Sequence, residues 1–447
     1  MATSQQQAVT AELAERVLSE VEAGREELLG TISRAVQIPS VNPRYPGQIY
    51  DEVVGGEGRV SQLVAEVYQQ MDAEVDVFGI EPGRENAVGV IRGTGGGRSL
   101  IYNGHVDVVP VGRAENWRHD PFSGLIDVDR IWGRGSTDMK AGVLAQAFAG
   151  RALVRSGVRL CGDLVLEAVA GEECMNNDIG VSATVQRGYR ADAAVVAEPT
   201  TGASPLAVMP TSPGQLWFTL TVTGKATHAA NRGQTLHPSG ATAPPGVSAI
   251  DKGLVLLEGL RRLERQWAFS KRHSHYRPGQ FTIMPGILEA GAGGVQFPLF
   301  VPDEMRIEYL VWYPPDDDPG QIKREIEQQV GHLVASDDWM RRHEPVIEWR
   351  LHWPANSPDG DDIVAALCAA HERATAGTRS AGPAEVSGFP AVDDASWLTI
   401  EGIPAISYGP GDLAVAHADD EFVTVDEVMC ATRAFALLAM EWCGVCT

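Results

Sequence analysis

The chain has 447 residues, of which 44% are hydrophobic and 21% charged: enough apolar material for two or three packed domains, and too few charges for a disordered chain. Lys and Arg number 36 against 59 Asp and Glu, a formal charge of −23 that disfavours binding to nucleic acid or to an anionic membrane surface. No run of apolar residues is long enough to span a bilayer, and MATSQQQAVTAELAERV lacks a basic segment followed by an apolar one, so a cytoplasmic protein is expected. The six cysteines are too sparse for a disulfide framework, and the CxxC of Cys443 and Cys446 has no partner motif, which points to a reducing compartment.

Residues 8–35 carry apolar positions at helical spacing and predict an amphipathic helix or helix pair. SVNPRYPGQ reads as a proline-rich loop, RVSQLVAEVYQQM as a helix, and VDVFG and NAVGVIRG as strands. RSLIYNGHVDVVP is a buried strand running into a loop. A helix follows in TDMKAGVLAQAFAGRALVRSG, then short buried strands in DLVLEAVAG and ADAAVVAEPT. Apolar strands alternating with helices imply a mostly parallel sheet covered by helices, with functional residues outside the carboxyl ends of the strands. Near residue 211 the text changes. LWFTLTVTG, a long helix, FTIMPGILEAG, MRIEYLVWY, a second helix and PVIEWRLHW follow in β-α-β-β-α-β order, the ferredoxin-like arrangement. After residue 353 the first pattern resumes. The expected architecture is an α/β catalytic domain from residues 1–210 and 353–447, with an inserted α+β domain over 211–352.

Polar residues at the strand ends form a chemically coherent set. His105 and Asp107 sit in NGHVDVVP, Asp138 in GRGSTDMKAG, Glu172 and Glu173 after DLVLEAVAG, Glu198 at the end of ADAAVVAEPT, and His417 in AVAHADDEF. Two imidazoles and three carboxylates suit Zn²⁺, with Mn²⁺ or Co²⁺ as alternatives, and lack the thiolates of a structural zinc knot. Two divalent ions would be balanced by Asp138, Glu173, Glu198 and a bridging hydroxide, leaving Glu172 spare as a general base. A metal pair about 3.5–4 Å apart lowers the pKa of bridging water towards 7.

GHVDVVP, WRHDPFSGLIDVDRIWGRGSTDMKAG, GYRADAAVVAEPT and GPGDLAVAHADDEFV resemble the acetylornithine deacetylase / succinyl-diaminopimelate desuccinylase family, relatives of aminoacylases and glutamate-releasing carboxypeptidases. The resemblance runs from about residue 30 to residue 443. It implies a di-metal amidohydrolase with an inserted lid that forms a homodimer. In that frame Asp138 matches the bridging carboxylate. His105 and Glu198 match the ligands of one metal, and Glu173 and His417 those of the other. Glu172 matches the general base, and Asp107 the carboxylate behind the histidine ligand. The Asp138–Met139 bond matches a cis peptide. His228, in TGKATHAANRG, matches the lid histidine that reaches the partner's site and stabilises the oxyanion.

Three departures bear on the substrate. No arginine occurs from residue 307 to 322, where relatives carry one for a substrate carboxylate. Trp312 and Tyr313 in that strand point to an aromatic substrate instead. GQTLHPSGATAPP (233–245) is an insertion after the lid histidine, and Gly171 stands where an Asp is common. Asp394, in AVDDASWL, matches a family segment near the pocket and is a candidate substrate contact, as are Trp312 and His228. The expected reaction is hydrolysis of a C–N bond, foremost the deacylation of an N-acyl small molecule by a metal-bridging hydroxide. The alternative is hydrolytic deamination of an electron-poor aromatic amine at the same site, and the remote one is a non-catalytic binding homologue.

Overall fold

A computed structural model describes residues 6–7, 9–202, 204–237, 243–295 and 297–446. The chain forms two compact units, one from Met1–Ser212, Asn356–Phe389 and Asp393–Thr447, the other from Pro213–Ala355 and Pro390–Val392.

The first unit is built on an eight-stranded sheet in the order Val386–Gly388, Val208–Thr211, Ala405–Ser407, Ala193–Val196, Leu100–His105, Leu164–Val169, Glu85–Ile91, Glu74–Gly79. The four strands at its centre run parallel, and the last two join antiparallel. The central strands are buried throughout, which is why they read as mainly apolar, with Asn103, His105 and Glu167 as the polar exceptions. Register sets the site. His105 pairs with Val169, while Asn103 pairs with Val196, so Glu198, two residues further on, comes level with His105. Helices Ala141–Arg155 and Val425–Cys443 pack together and are apolar nearly all round, as expected of helices buried between layers. The Tyr102 hydroxyl donates to the carbonyl of Phe435 in the second of these helices. Strand alternation therefore turns Asn103 and His105 to the opposite face of the sheet.

The second unit is a four-stranded antiparallel sheet in the order Ile283–Gly291, Glu304–Tyr313, Gly214–Thr223, Val346–Trp353. With helices Ala249–Ser270 and Pro319–Ala335 in the two crossovers, this is the ferredoxin-like fold. Ser248 caps the first helix through the amide of Asp251, and Asp318 with Pro319 starts the second. In Glu304–Tyr313 alternate side chains enter the core: Met305, Ile307, Tyr309, Val311 and Tyr313. Tyr313 is thus a core residue whose hydroxyl meets His352 Nε2 at 2.8 Å, which removes it from the aromatic pair expected to face substrate. Trp312 points to the other face and is half-buried.

Cys161 and Cys446 are joined as a disulfide across 285 residues, linking the strand Arg159–Leu160 to the antiparallel strand Val445–Cys446. One pair is not a framework, but it overturns the expectation of reduced thiols and with it the cysteine argument for a reducing compartment. Among the described residues no helix is long and apolar enough to cross a membrane.

Candidate metal centre

His105 is the last residue of its strand and is 1% exposed. Its Nε2 lies 3.1 Å from Asp138 Oδ1, 3.7 Å from Glu198 Oε1 and 4.0 Å from Glu172 Oε2. His417 Nε2 lies 3.1 Å from Glu173 Oε2 and 3.4 Å from Asp138 Oδ2. Asp138 therefore faces one histidine with each carboxylate oxygen. Ligand atoms of His105, Asp138 and Glu173 all fall within 4.8 Å of one another. The five side chains proposed as ligands from sequence meet in one place, with Glu172 beside them. His417 is the outermost, its side chain 53% exposed, on a loop residue with φ of 58°.

Glu172 and Glu173 occupy a single 3-10 turn, Glu172–Cys174, bracketed by left-handed Gly171 (φ 96°) and Met175 (φ 59°). The turn sends Glu172 towards His105 and Glu173 towards His417. It is held by Asp107. Oδ1 of Asp107 accepts from the amides of Gly171 (2.9 Å) and Glu172 (3.2 Å), and Oδ2 accepts from the amide of Glu173 (3.0 Å) and from Asn42 Nδ2 (2.8 Å). His105 Nδ1 meets the backbone oxygen of Asp107 at 3.0 Å, whereas the Asp107 carboxylate stands 3.7 Å away. Its side chain is thus committed to the glutamate turn, and the main-chain carbonyl orients the imidazole. Asp138 lies in an irregular stretch before the helix Ala141–Arg155, and its bond to Met139 is cis. A residue absent from the sequence reading, Glu421, accepts hydrogen bonds from the amides of Gly135, Thr137 and Asp138.

The carboxyls of Glu172 and Glu198 are pushed well above their ordinary range, first by burial and then by acidic neighbours: Glu173, Asp394 and Asp107 for Glu172, and Asp138, Glu172 and Asp393 for Glu198. Glu173 is raised by burial as well. Burial would raise Asp138 too, but hydrogen bonds to His105 and His417 hold it below the usual carboxylate range. Burial lowers His417, yet its bonds to Asp138 and Glu173 push it up to about 11. Among the described residues no Lys or Arg pairs with Asp138, Glu172, Glu173 or Glu198; their ion-pair partners are histidines alone. Four crowded carboxyls and two imidazoles without a fixed cation make a nitrogen/oxygen donor set that fits divalent metal.

Asp394 is buried in the same unit, and among the described residues neither carboxylate oxygen has a hydrogen-bond partner; burial pushes it up to about 8. His228 and Trp312 belong to the second unit. His228 is exposed, and its Nδ1 accepts from the amide of Ala230 at 3.1 Å. That bond assigns the ring proton to Nε2, leaving Nε2–H as an outward donor. Of the 233–245 insertion, residues 238–242 lie outside the described residues, and Arg232–Leu236 form a short helix.

The sequence pattern of peptidase family M20/M25/M40 matches residues 101–441. The chain belongs to that family. It is 31% identical over 442 residues to an N-formyl-4-amino-5-aminomethyl-2-methylpyrimidine deformylase of Halalkalibacterium halodurans, covering 96% of this chain and 97% of the relative. A deformylase of the same name from Bacillus subtilis is 33% identical over 398 residues, 86% of this chain and 89% of its own. The fold matches that of a family M20 metallo-carboxypeptidase from Sulfolobus solfataricus, with TM-score 0.67 at 16% identity over 93% of this chain and 99% of that one. The protein is a metal-dependent amidohydrolase of family M20 that cleaves a C–N bond.

Proposed function

We propose that this enzyme removes the formyl group from an N-formylated aminomethylpyrimidine or a close heteroaromatic relative. The supporting observation is the similarity to two deformylases over 96% and 86% of the chain. The stretch from residue 307 to 322, free of arginine, agrees with a substrate that carries no carboxylate. In this reading two divalent ions bind, zinc foremost and manganese or cobalt as substitutes. His105 and Glu198 would hold one, Glu173 and His417 the other, with Asp138 available to both. When bound, the metals supply Lewis-acid polarisation of the amide carbonyl and acidify a water.

The chain's own residues do the rest. Glu172, held beside His105 by the turn that Asp107 clamps, takes a proton from the attacking water and passes it to the leaving nitrogen. The C–N bond breaks as a C–O bond forms, giving formate and the free amine. His228 offers its Nε2–H to the developing oxyanion. Trp312 provides an aromatic face for the ring and Asp394 a carboxyl for its amino group.

The second unit is proposed to dimerise. Its edge strand Ile283–Gly291 exposes Met284, Ile287 and Leu288, and helix Ala249–Ser270 exposes Leu254 and Val255. An open apolar edge of this kind is normally covered. The deciving assay for the substrate is formate release by metal-loaded enzyme from the N-formyl pyrimidine, run beside N-succinyl and N-acetyl amino acids, with ammonia measured in parallel. Turnover of an N-acyl amino acid without formate release from the pyrimidine would refute the assignment.

A further inference from the structure

Glu421 is fully buried and lies four residues beyond His417, in a run of acids, Asp419–Glu421, that reads as surface text. Its Oε1 accepts from three main-chain amides: Gly135 at 2.9 Å, Thr137 at 3.0 Å and Asp138 at 3.2 Å. Its Oε2 pairs with Arg134, itself 2% exposed. Its own backbone carbonyl accepts from the amide of Gly133 at 2.8 Å, and the Thr137 hydroxyl donates to the carbonyl of Phe422. The strand Phe422–Thr424 then pairs with Arg130–Trp132. The whole stretch from Gly133 to Asp138 is therefore folded around one carboxylate.

That stretch needs an external organiser. Asp138 has non-helical backbone angles (φ −122°, ψ 95°), and the amides of residues 135, 137 and 138 turn towards the Glu421 carboxylate. Three N–H groups converging on one anionic oxygen orient the peptide planes through Asp138, and with them the Cα–Cβ direction of its carboxylate. The negative charge is matched by Arg134, outside the cluster of ligands, so it is not spent on the metal-binding charges.

We infer that Glu421 is the positioning residue that sets the Asp138 carboxylate between His105 and His417, so that metal affinity depends on a carboxyl that touches no ligand site. The inference rests on the metal-centre reading above, and not on the choice of substrate. One loop thus supplies both a ligand, His417, and the clamp that aims the shared carboxylate.

The test uses cobalt(II) as the probe, with the full chain and the variants Glu421→Ala and Glu421→Gln. Affinity is measured by chelator competition and ligand geometry by visible d–d absorption, with far-UV circular dichroism of the metal-free proteins as the fold control. Glu421→Ala should bind cobalt about 10–100-fold more weakly, the range for loss of a residue that orients a metal ligand, with a shifted d–d spectrum. Glu421→Gln keeps an oxygen for the three amides and should retain most of both signals, which a purely electrostatic role of the Arg134 pair would not allow. In formate release, kcat should fall with KM changed less than threefold. A folded Glu421→Ala chain with wild-type cobalt affinity and spectrum overturns the inference. If that variant does not fold, a Glu421→Gln chain as impaired in cobalt binding as an Asp138→Asn chain overturns it instead. Wild-type protein that binds no cobalt would sink the metal centre itself, whereas cobalt binding without formate release would sink only the substrate.

Discussion

Replacing Asp107 with Asn tests whether this carboxylate holds the glutamate turn or orients the His105 ring. The carboxylate accepts four hydrogen bonds, from the amides of Gly171, Glu172 and Glu173 and from Asn42 Nδ2, in a fully buried setting. Asn has one acceptor oxygen where Asp has two. The donors on Oδ1 keep their partner, while the amide of Glu173 and Asn42 Nδ2 face an NH₂ group. At roughly 1–3 kcal/mol for each buried donor left unsatisfied, the loss is about 2–6 kcal/mol. Rotating the Asn42 amide would recover one bond but give up its contact with the Arg44 amide at 3.0 Å, so the lower half of that range, about 2–4 kcal/mol, is expected. Urea unfolding of metal-free protein reads the stability change directly. Because the turn carries Glu172, kcat should fall about 100-fold or more, the usual penalty of a displacement near 1 Å. Cobalt affinity should fall less than kcat, since His105 Nδ1 is held by a main-chain oxygen that the substitution leaves in place. Unchanged urea stability, or a loss confined to metal affinity with kcat intact, would refute the assignment of Asp107 to the turn.

Glu172→Gln should lower kcat by about 100–10,000-fold with unchanged metal content, as expected for loss of a general base, and equal formate release would remove Glu172 from that role. His228→Ala should lower kcat by about 100–1,000-fold with little change in metal content, the scale of one lost oxyanion donor; unaltered turnover would dismiss it. The metal-free chain should show a definite pH signature. His417 is raised from 6.5 to about 11, so the stability it lends is complete below pH 6.5 and is lost as pH rises through about 11. Metal must displace that proton, so apparent affinity should climb with pH across the neutral range, with proton release seen by calorimetry in buffers of different ionisation enthalpy. A pH-independent affinity with no proton release would contradict the protonated, carboxylate-paired His417.

The parts of the fold that were legible are those in which burial writes a pattern into the chain. Leu100–Tyr102 and Ala193–Val196 are buried on both faces and so appear as unbroken apolar runs, and Leu164–Val169 is interrupted only by Glu167. The second unit announces itself by alternation and element order. His105, Asp138, Glu198 and His417 stood out because a polar residue at the end of such a strand, or in the loop after it, needs a reason to be there. What stayed hidden is carried by the main chain. Glu421 works on amides 283–286 residues away, and an amide has no letter of its own. The clamp that Asp107 places on the glutamate turn was hidden for the same reason: three of its partners there are main-chain N–H groups. Tyr313 was grouped with Trp312 by adjacency, although neighbours in a strand face opposite ways. The Cys161–Cys446 pairing joins strands far apart in sequence, with nothing in their spacing to mark it.

The central claim is that His105, Asp138, Glu173, Glu198 and His417 together hold catalytic metal. Elemental analysis of zinc-reconstituted, desalted protein, wild type beside His105→Ala and His417→Ala, tests it most directly. Wild-type protein should hold two ions per chain and each variant about one, with negligible formate release from both variants. Wild-type protein without bound zinc, or variants that retain the full complement, would contradict it.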